Sequence, residues 1–220
     1  MDFSSIIKNW HLYLITDEQL SKGRSNREIA RFAIDGGADV IQLRDKTASS
    51  RKLYEDAMAI REITRSANVI FIVNDRLDIA LAVDADGVHV GQKDLPAQIA
   101  RQLIGKNKIL GVSAETLEQA IQADKDGADY LGVGPIFEAR STKPDAGEPL
   151  GLLLLKQVHQ QCQAPIIAIG GINSSNAREV IRSGADGIAV ISAVVAAADV
   201  AVASRELKNL VRNERKQCEE

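Results

Sequence analysis

The chain has 220 residues, 45% hydrophobic and 26% charged, which is enough material for the core of one domain. Its net charge of -3 and its 4% aromatic content argue against a nucleic-acid surface or base-stacking platforms. No apolar run reaches membrane-spanning length, and the two cysteines, Cys162 and Cys218, match no metal spacing. With no signal peptide, we expect reduced thiols in a cytoplasmic protein with neither nucleic-acid nor membrane partners.

Taken in chain order, apolar segments alternate with segments of helical periodicity. The predicted strands cover residues 10–16, 39–44, 69–73, 86–90, 108–112, 128–133, 165–170 and 185–191. A helix is predicted after each strand. Five of these helices have apolar stripes, marked by the pairs Ile29 and Phe32, Leu53 and Ile60, Leu117 and Ile121, Val180 and Ile181, and Leu207 and Leu210. The other three are the short segment 75–82, the segment 95–104 and a segment that ends at His159.

A weak repeat supports this count of strands. Gly37-Ala38-Asp39, Ala85-Asp86-Gly87, Gly127-Ala128-Asp129 and Gly184-Ala185-Asp186 each mark a helix end followed by a strand. Repeated βα units imply a parallel sheet, and eight of them predict a single (β/α)8 TIM barrel over residues 1–220. We interpret 1–9 as a leader and 213–220 as a charged tail. The alternative, an open doubly wound sheet, normally has fewer strands and a G-x-G-x-x-G after the first one.

Side-chain alternation predicts which residues point into the barrel. They are Gln42, Arg44, Gly87, His89, Gly91, Tyr130, Gly132, Gly134, Ala168, Gly170, Gly187 and Ala189. Ordinary layering of small and large residues would explain the glycines and alanines, but not Arg44 or His89. His89 is more readily interpreted as a core or supporting histidine than as a catalytic acid.

The segment Ile41-Gln42-Leu43-Arg44-Asp45-Lys46 predicts an anion clamp. Gln42, Arg44 and Lys46 share one face of a strand, and such a ladder suits a multiply charged anion. The alternative is an edge strand with one wet face. Active sites of barrels lie at the carboxyl ends of the strands, where Asn74, Ser113 and a loop carrying Ser141, Thr142 and Lys143 are also expected.

Asp75 and Asp94 follow neighbouring strands and form a candidate Mg²⁺ pair beside these cations. Each could instead be a helix N-cap. Gly170-Gly171 and Ile191-Ser192, after the last two strands, predict a monophosphate site, although the glycines could form only a tight turn. Two anion sites and one metal suggest that a bound molecule displaces pyrophosphate from another.

At these residues the chain resembles the thiamine phosphate synthase family. The motifs are YLIT-D, IQLRDK, NDRLDIA, ADGVHVGQKD, GVSAET, YLGVGPIF with STKPDAG, AIGGI and AVISA, and they extend over nearly the whole chain. The resemblance implies a (β/α)8 barrel, Mg²⁺ as cofactor, and two phosphorylated small molecules as partners. A hydroxymethylpyrimidine diphosphate would be joined to a thiazole carboxylate or ethyl phosphate, through a pyrimidine methylene cation, with release of pyrophosphate. A homo-oligomer is compatible with it.

The resemblance also implies roles for individual residues. Those that would bind the pyrimidine diphosphate are Gln42, Arg44, Lys46, Asn74, Ser113 and Lys143. Those that would bind the thiazole phosphate are Thr142, Gly171, Ile191 and Ser192, with Gly170 beside them. Asp75 and Asp94 would hold Mg²⁺, and Ser113, Lys143 and Arg44 would assist departure of pyrophosphate.

The sixth loop departs from the family pattern. Ala139 stands where a threonine is expected and Lys143 comes one residue late, so either the loop is longer by one residue or its hydroxyl roles have moved to Ser141. Arg140 is a candidate phosphate contact, with a solvated loop charge as the alternative. Two other functions remain open: a thiazole-tautomerase-like relative, and a phosphate-ligand sensor. The pyrophosphate clamp argues against the first, and the metal pair argues against the second.

Overall fold

The structure, a computed structural model, describes residues 3–139 and 147–219. Eight parallel strands close a barrel in chain order, and β1 pairs with β8. The strands are β1 (Leu12–Ile15), β2 (Val40–Leu43), β3 (Ile70–Asn74), β4 (Gly87–Val90), β5 (Ile109–Ala114), β6 (Tyr130–Val133), β7 (Ile166–Ile169) and β8 (Gly187–Val190). The predicted (β/α)8 barrel is confirmed, and closure excludes both the open sheet and an edge position for β2.

Helices cover the outside of the barrel. They are α1 (Ser4–Ile7), α2 (Asn26–Asp35), α3 (Ser50–Ala67), α4 (Leu77–Ala82), α5 (Ala97–Ile104), α6 (Leu117–Lys125), α7 (Gly151–Gln161), α8 (Ala177–Arg182), α9 (Ser192–Val195) and α10 (Val200–Glu219). Local signals define several ends: Ser25 and Glu28 form a capping box, and Asn68 ends α3 in the left-handed conformation. Among the described residues, no helix has the length and apolar character needed to cross a membrane.

The aspartates of the Gly-Ala-Asp repeat connect even-numbered strands to odd-numbered ones. Asp39 accepts hydrogen bonds from the N–H groups of His11 and Leu12, both at 3.0 Å. The same bond is made to the N–H groups of β3, β5 and β7 by Asp86, Asp129 and Asp186, respectively. Each carboxylate also faces a cation, in the pairs Asp39–Lys208, Asp86–Arg61, Asp129–Arg101 and Asp186–Arg215. The repeat therefore satisfies strand ends that would otherwise present unpaired donors.

Most of the residues predicted to face inward do so, but the prediction for Ala168 of β7 is wrong. Val88 and Val90 pack outward under the helices, whereas Tyr13, Tyr130 and Ala189 belong to the interior cluster. On β7, however, Ile167 and Ile169 face inward and Ala168 faces outward. The reason is register, because Gly132 of β6 is opposite Ile167 and the two must share a face.

The segments at the two chain ends also differ from expectation. Within the predicted leader, α1 places Phe3 and Ile7 in the interior cluster beside Trp10. The Trp10 ring packs edge-on against Tyr130 with the centroids 5.5 Å apart. The predicted charged tail is the end of α10, where Glu214 is 1% exposed and pairs with Arg178 and Arg182 of α8. These arginines hold the pKa of Glu214 below its ordinary value, Arg182 most strongly.

Truncating Ile7 tests whether the N-terminal segment is part of the core. The Ile7→Ala variant is expected to lose about 2–5 kcal/mol of unfolding free energy because its side chain is fully buried. Urea unfolding followed by circular dichroism gives this value. Ile6→Ala is the matched control, since Ile6 is 46% exposed and should change stability by about 0.5 kcal/mol or less. Equal effects of the two substitutions would show that the segment is not part of the core.

Candidate active site

A pocket opens at the carboxyl ends of the strands, and most of the predicted residues line it. The predicted residues in its wall are Gln42, Arg44, Asn74, Ser113, Gly170, Gly171, Ile191 and Ser192. Lys46, Asp75 and Asp94 lie next to them at the rim, with the Lys46 ammonium 3.9 Å from an Asp75 carboxylate oxygen. Arg140, Ser141, Thr142 and Lys143 lie outside the described residues.

The three side chains of the anion clamp at the end of β2, Gln42, Arg44 and Lys46, lie at different depths in the pocket. Gln42 is 2% exposed and donates a 2.8 Å hydrogen bond to the Tyr13 hydroxyl inside the barrel. The Arg44 guanidinium stands higher, 3.9 Å from the Asp17 carboxylate, and the Lys46 side chain is half-exposed. Arg44 and Lys46 can therefore bind the charged group of a molecule, while the buried Gln42 amide can contact a polar ring below it.

Asp75 follows β3 in the left-handed conformation, with φ of 59°. Its N–H donates to the carbonyl oxygen of His89 at 2.8 Å, which fixes the turn. Helix α4 begins after Arg76 and has no side-chain cap, so Asp75 is not a helix cap. Asp94 accepts from the N–H of Gly91 at 2.8 Å, while α5 is preceded by Pro96 and also lacks a side-chain cap.

The two carboxyl groups lie close enough for each to affect the charge of the other. Burial, then a hydrogen bond and repulsion from Asp94, raise the pKa of Asp75 to about 6, against the opposing effect of Lys46 and Arg44. Such a pair is stabilised by a shared proton or by a divalent cation. Among the described residues, no group of three or more His, Cys, Asp or Glu side chains forms a metal cage. Two carboxylates with substrate and water oxygens are nevertheless what Mg²⁺ uses, so these residues fit that ion.

Gly170 and Gly171, after β7, have φ of 99° and 65° and lie against the segment that follows β6. A Cβ on Gly170 would lie 2.5 Å from the Pro135 Cα, and one on Gly171 would lie 2.6 Å from the Glu138 carbonyl oxygen. The glycines therefore allow two chain segments to meet at the pocket, which is more than a tight turn requires. Ser192 begins α9 in the same wall, where the first N–H groups of a helix have no intrahelical partner.

Hydrogen bonds also cross the pocket floor, and sequence reasoning missed part of them. The Tyr13 and Tyr130 hydroxyls are 2.8 Å apart, and Tyr130 lies 2.9 Å from His89 Nδ1. His89 Nε2 in turn lies 2.8 Å from Ser113 Oγ. Burial raises the pKa of both tyrosines, so their hydroxyls stay protonated. Tyr13 and Glu115 were not predicted in the wall, although alternation along β1 was a usable signal for Tyr13.

Comparison with known proteins identifies the family of this chain. The family model of thiamine monophosphate synthase (TMP-TENI) matches residues 12–194. Thiamine-phosphate synthase of Chloroflexus aurantiacus is 60% identical over 205 residues, 93% of this chain and 94% of that protein. The protein of the same name from Moorella thermoacetica is 56% identical, over 94% of this chain and 98% of its own length.

A solved structure agrees with these sequence matches. Thiamine phosphate pyrophosphorylase from Pyrococcus furiosus superposes with a TM-score of 0.87 at 44% identity, covering 95% of this chain and 98% of that one. The chain therefore belongs to the thiamine-phosphate synthase family and is a transferase of the thiamine-phosphate diphosphorylase type.

Proposed function

We propose that the pocket holds two anionic substrates side by side and that their reaction depends on Mg²⁺. The transferase joins hydroxymethylpyrimidine diphosphate to a thiazole phosphate, with thiamine phosphate and pyrophosphate as products. One observation supports the assignment of the two substrates to opposite sides of the pocket. The cations Arg44 and Lys46 stand beside the Asp75–Asp94 pair on one side, and Gly171 and Ser192 form the other.

The pyrimidine diphosphate is assigned to the side formed by β2 to β5. Gln42 would contact the pyrimidine ring, since its amide is buried below the cations. Arg44, Lys46, Asn74 and Ser113 would bind the diphosphate oxygens, joined by Lys143 from the loop outside the described residues. Bidentate and point-charge cations together suit a diphosphate better than either alone.

Asp75 and Asp94 would hold Mg²⁺ at the rim of the same side. When bound, Mg²⁺ supplies positive charge that stabilises the pyrophosphate oxygens as they become negative. This assignment is supported by the raised pKa of Asp75, to which the neighbouring Asp94 carboxyl group contributes. Below a pH of about 6 a proton would compete for Asp75, so the ion would bind less tightly there.

The thiazole phosphate is assigned to the opposite wall. Gly171, Ile191 and Ser192 would bind its phosphate through backbone N–H groups, with Gly170 shaping the turn. Ser141 and Thr142, outside the described residues, would add hydroxyl contacts. In this proposal the thiazole nitrogen faces the pyrimidine methylene carbon.

In the reaction, the bond between that carbon and the diphosphate oxygen breaks, and its electron pair leaves with pyrophosphate. The thiazole nitrogen supplies the electron pair of the new carbon–nitrogen bond. Arg44, Ser113 and Lys143 are the catalytic residues in this proposal, because they would contact the oxygens on which charge develops. We further propose a cytoplasmic location, partners limited to the phosphorylated substrates, and a homo-oligomer as an arrangement to test by light scattering.

Pyrophosphate release from purified protein tests the function directly. The complete mixture holds hydroxymethylpyrimidine diphosphate, thiazole phosphate and Mg²⁺, and each component is omitted in turn. We expect release only when all three are present, with thiamine phosphate formed in equal amount. Saturable binding of thiazole phosphate without release would favour a tautomerase-like protein or a sensor. Undiminished release without Mg²⁺ in the presence of a chelator would remove the metal from the proposal.

A further inference from the structure

An uninterrupted line of hydrogen bonds joins the two proposed contacts of the pyrimidine diphosphate, Gln42 and Ser113. The links are Gln42 Nε2 to Tyr13 hydroxyl at 2.8 Å, Tyr13 to Tyr130 hydroxyl at 2.8 Å, Tyr130 hydroxyl to His89 Nδ1 at 2.9 Å, and His89 Nε2 to Ser113 Oγ at 2.8 Å. The two tyrosines are 2% exposed or less, so water does not compete for the bonds made by Tyr13, whereas the two bonds of His89 are partly buried.

The barrel leaves space for this line at two glycines. A Cβ on Gly111 would lie 2.1 Å from Tyr130 Cζ and 2.5 Å from His89 Nδ1. A Cβ on Gly132 would lie 2.8 Å from His89 Cε1. No larger residue fits at either position without moving the rings, which makes the two glycines a local requirement of the hydrogen-bonded line.

With the Gln42 amide nitrogen directed at Tyr13, one direction of the other links leaves no donor unmatched. The Gln42 amide nitrogen can only donate, so the Tyr13 oxygen accepts and its hydrogen goes to Tyr130. Tyr130 then donates to His89 Nδ1, which must lack a hydrogen. In a neutral ring the hydrogen is therefore on Nε2, which donates to Ser113 Oγ. The hydroxyl hydrogen of Ser113 is left to donate into the pocket.

The opposite direction conflicts with the orientation of the Gln42 amide. If Ser113 donated to His89, the ring hydrogen would move to Nδ1 and Tyr130 would donate to Tyr13. The Tyr13 hydrogen would then face the amide hydrogens of Gln42 at a buried position, where an unmatched donor is costly. Only rotation of the Gln42 amide, placing its oxygen toward Tyr13, removes that conflict.

We propose that Tyr13, Tyr130 and His89 are positioning residues that transmit the orientation of the Gln42 amide to the Ser113 hydroxyl. Through them, His89 is held with its hydrogen on Nε2, and Ser113 is held as a donor to a leaving pyrophosphate oxygen. The chemistry is hydrogen-bond donation where negative charge develops, with no proton transfer. This inference rests on the proposed function, which assigns the pyrophosphate to Ser113.

Nitrogen-15 NMR of the histidine rings tests the direction of the bonds without turnover. In the wild type we expect His89 Nε2 to carry the hydrogen and Nδ1 to be bare, with the signals assigned by their loss in His89→Gln. In Tyr130→Phe the donor to Nδ1 is gone, so the ring should populate both neutral tautomers. A wild-type ring with its hydrogen on Nδ1 would overturn the inference.

Steady-state kinetics of Tyr130→Phe test whether the orientation of Ser113 affects the reaction. Tyr130→Phe should lower kcat for pyrophosphate release about tenfold, the cost of one misdirected hydrogen bond, with KM for thiazole phosphate unchanged. Tyr54→Phe is the matched control, because Tyr54 is 40% exposed on α3 and far from the line of bonds. An unchanged kcat in Tyr130→Phe would also overturn the inference.

Misfolding of Tyr130→Phe and failure of the proposed function can both be distinguished from failure of this inference. Should Tyr130→Phe not fold, Tyr13→Phe breaks the line one link earlier and is judged by the same tautomer and kcat criteria. Should the wild type release no pyrophosphate, the proposed function fails, and the wild-type NMR spectrum alone decides whether His89 is held as described.

Discussion

The Asp75→Asn variant is expected to lose turnover by about a hundredfold or more, because one of two carboxylates proposed for Mg²⁺ becomes neutral. The Mg²⁺ concentration for half-maximal rate should rise at the same time. Asn keeps the shape of Asp and tolerates the positive φ of 59° found here, so the turn after β3 should survive. Pyrophosphate release measured over a series of Mg²⁺ concentrations gives both quantities.

Asp84→Asn is a closely matched control for this substitution. Asp84 also has a positive φ, 53°, but it lies at the opposite end of the barrel, with a 70% exposed side chain paired with Arg65 and Lys108. Exposed pairs of this kind contribute little to stability, so activity and Mg²⁺ dependence should match the wild type. Wild-type Mg²⁺ dependence in Asp75→Asn would show that Asp75 does not hold the ion.

The fold could be predicted because its local signals agree with one another. The Gly-Ala-Asp repeat works as a signal because its aspartate has a structural task, which is to accept the N–H groups that begin the preceding strand. Asp84 occupies the position where the other repeats have glycine, with the same positive φ. The second repeat, Ala85-Asp86-Gly87, therefore lacks the leading glycine of the other three.

The errors in the fold lie where residue patterns are uninformative. β7 (Ile166–Ile169) is apolar at all four positions, so alternation cannot assign its faces. Its register with Gly132 of β6 assigns them instead, and that is a contact between strands. Helix α1 has only four residues, too few for a periodic signal, and its burial depends on the barrel floor that it covers.

The candidate site could be predicted in part for a topological reason. Strand order brings every carboxyl end to one face, so polar residues after successive strands must lie near each other. Alternation predicts that Tyr130 points inward and could have placed Tyr13 there too, but in the sequence both look like ordinary core residues. Only their paired hydroxyls, 2.8 Å apart, reveal a polar line through the interior.

The Gly171→Ala variant is expected to raise KM for thiazole phosphate about tenfold or more while changing KM for the pyrimidine diphosphate much less. Two effects combine. An L residue at φ of 65° costs about 1–2 kcal/mol, and the added Cβ would lie 2.7 Å from the Phe137 Cβ as well as 2.6 Å from the Glu138 carbonyl oxygen. Backbone bonds from Ile136 to Ile169 and from Phe137 to Gly170 hold that segment against β7, so it cannot shift freely.

Gly127→Ala separates the two effects. Gly127 has φ of 86° at the turn before β6, and nothing lies within 4 Å of the position its Cβ would take. That variant should lose a similar amount of stability to backbone strain but keep both KM values, which steady-state kinetics and urea unfolding would measure together. If both variants raised KM equally, strain alone would account for the effect. If Gly171→Ala changed only KM for the pyrimidine diphosphate, the two substrates would have to exchange places in the pocket.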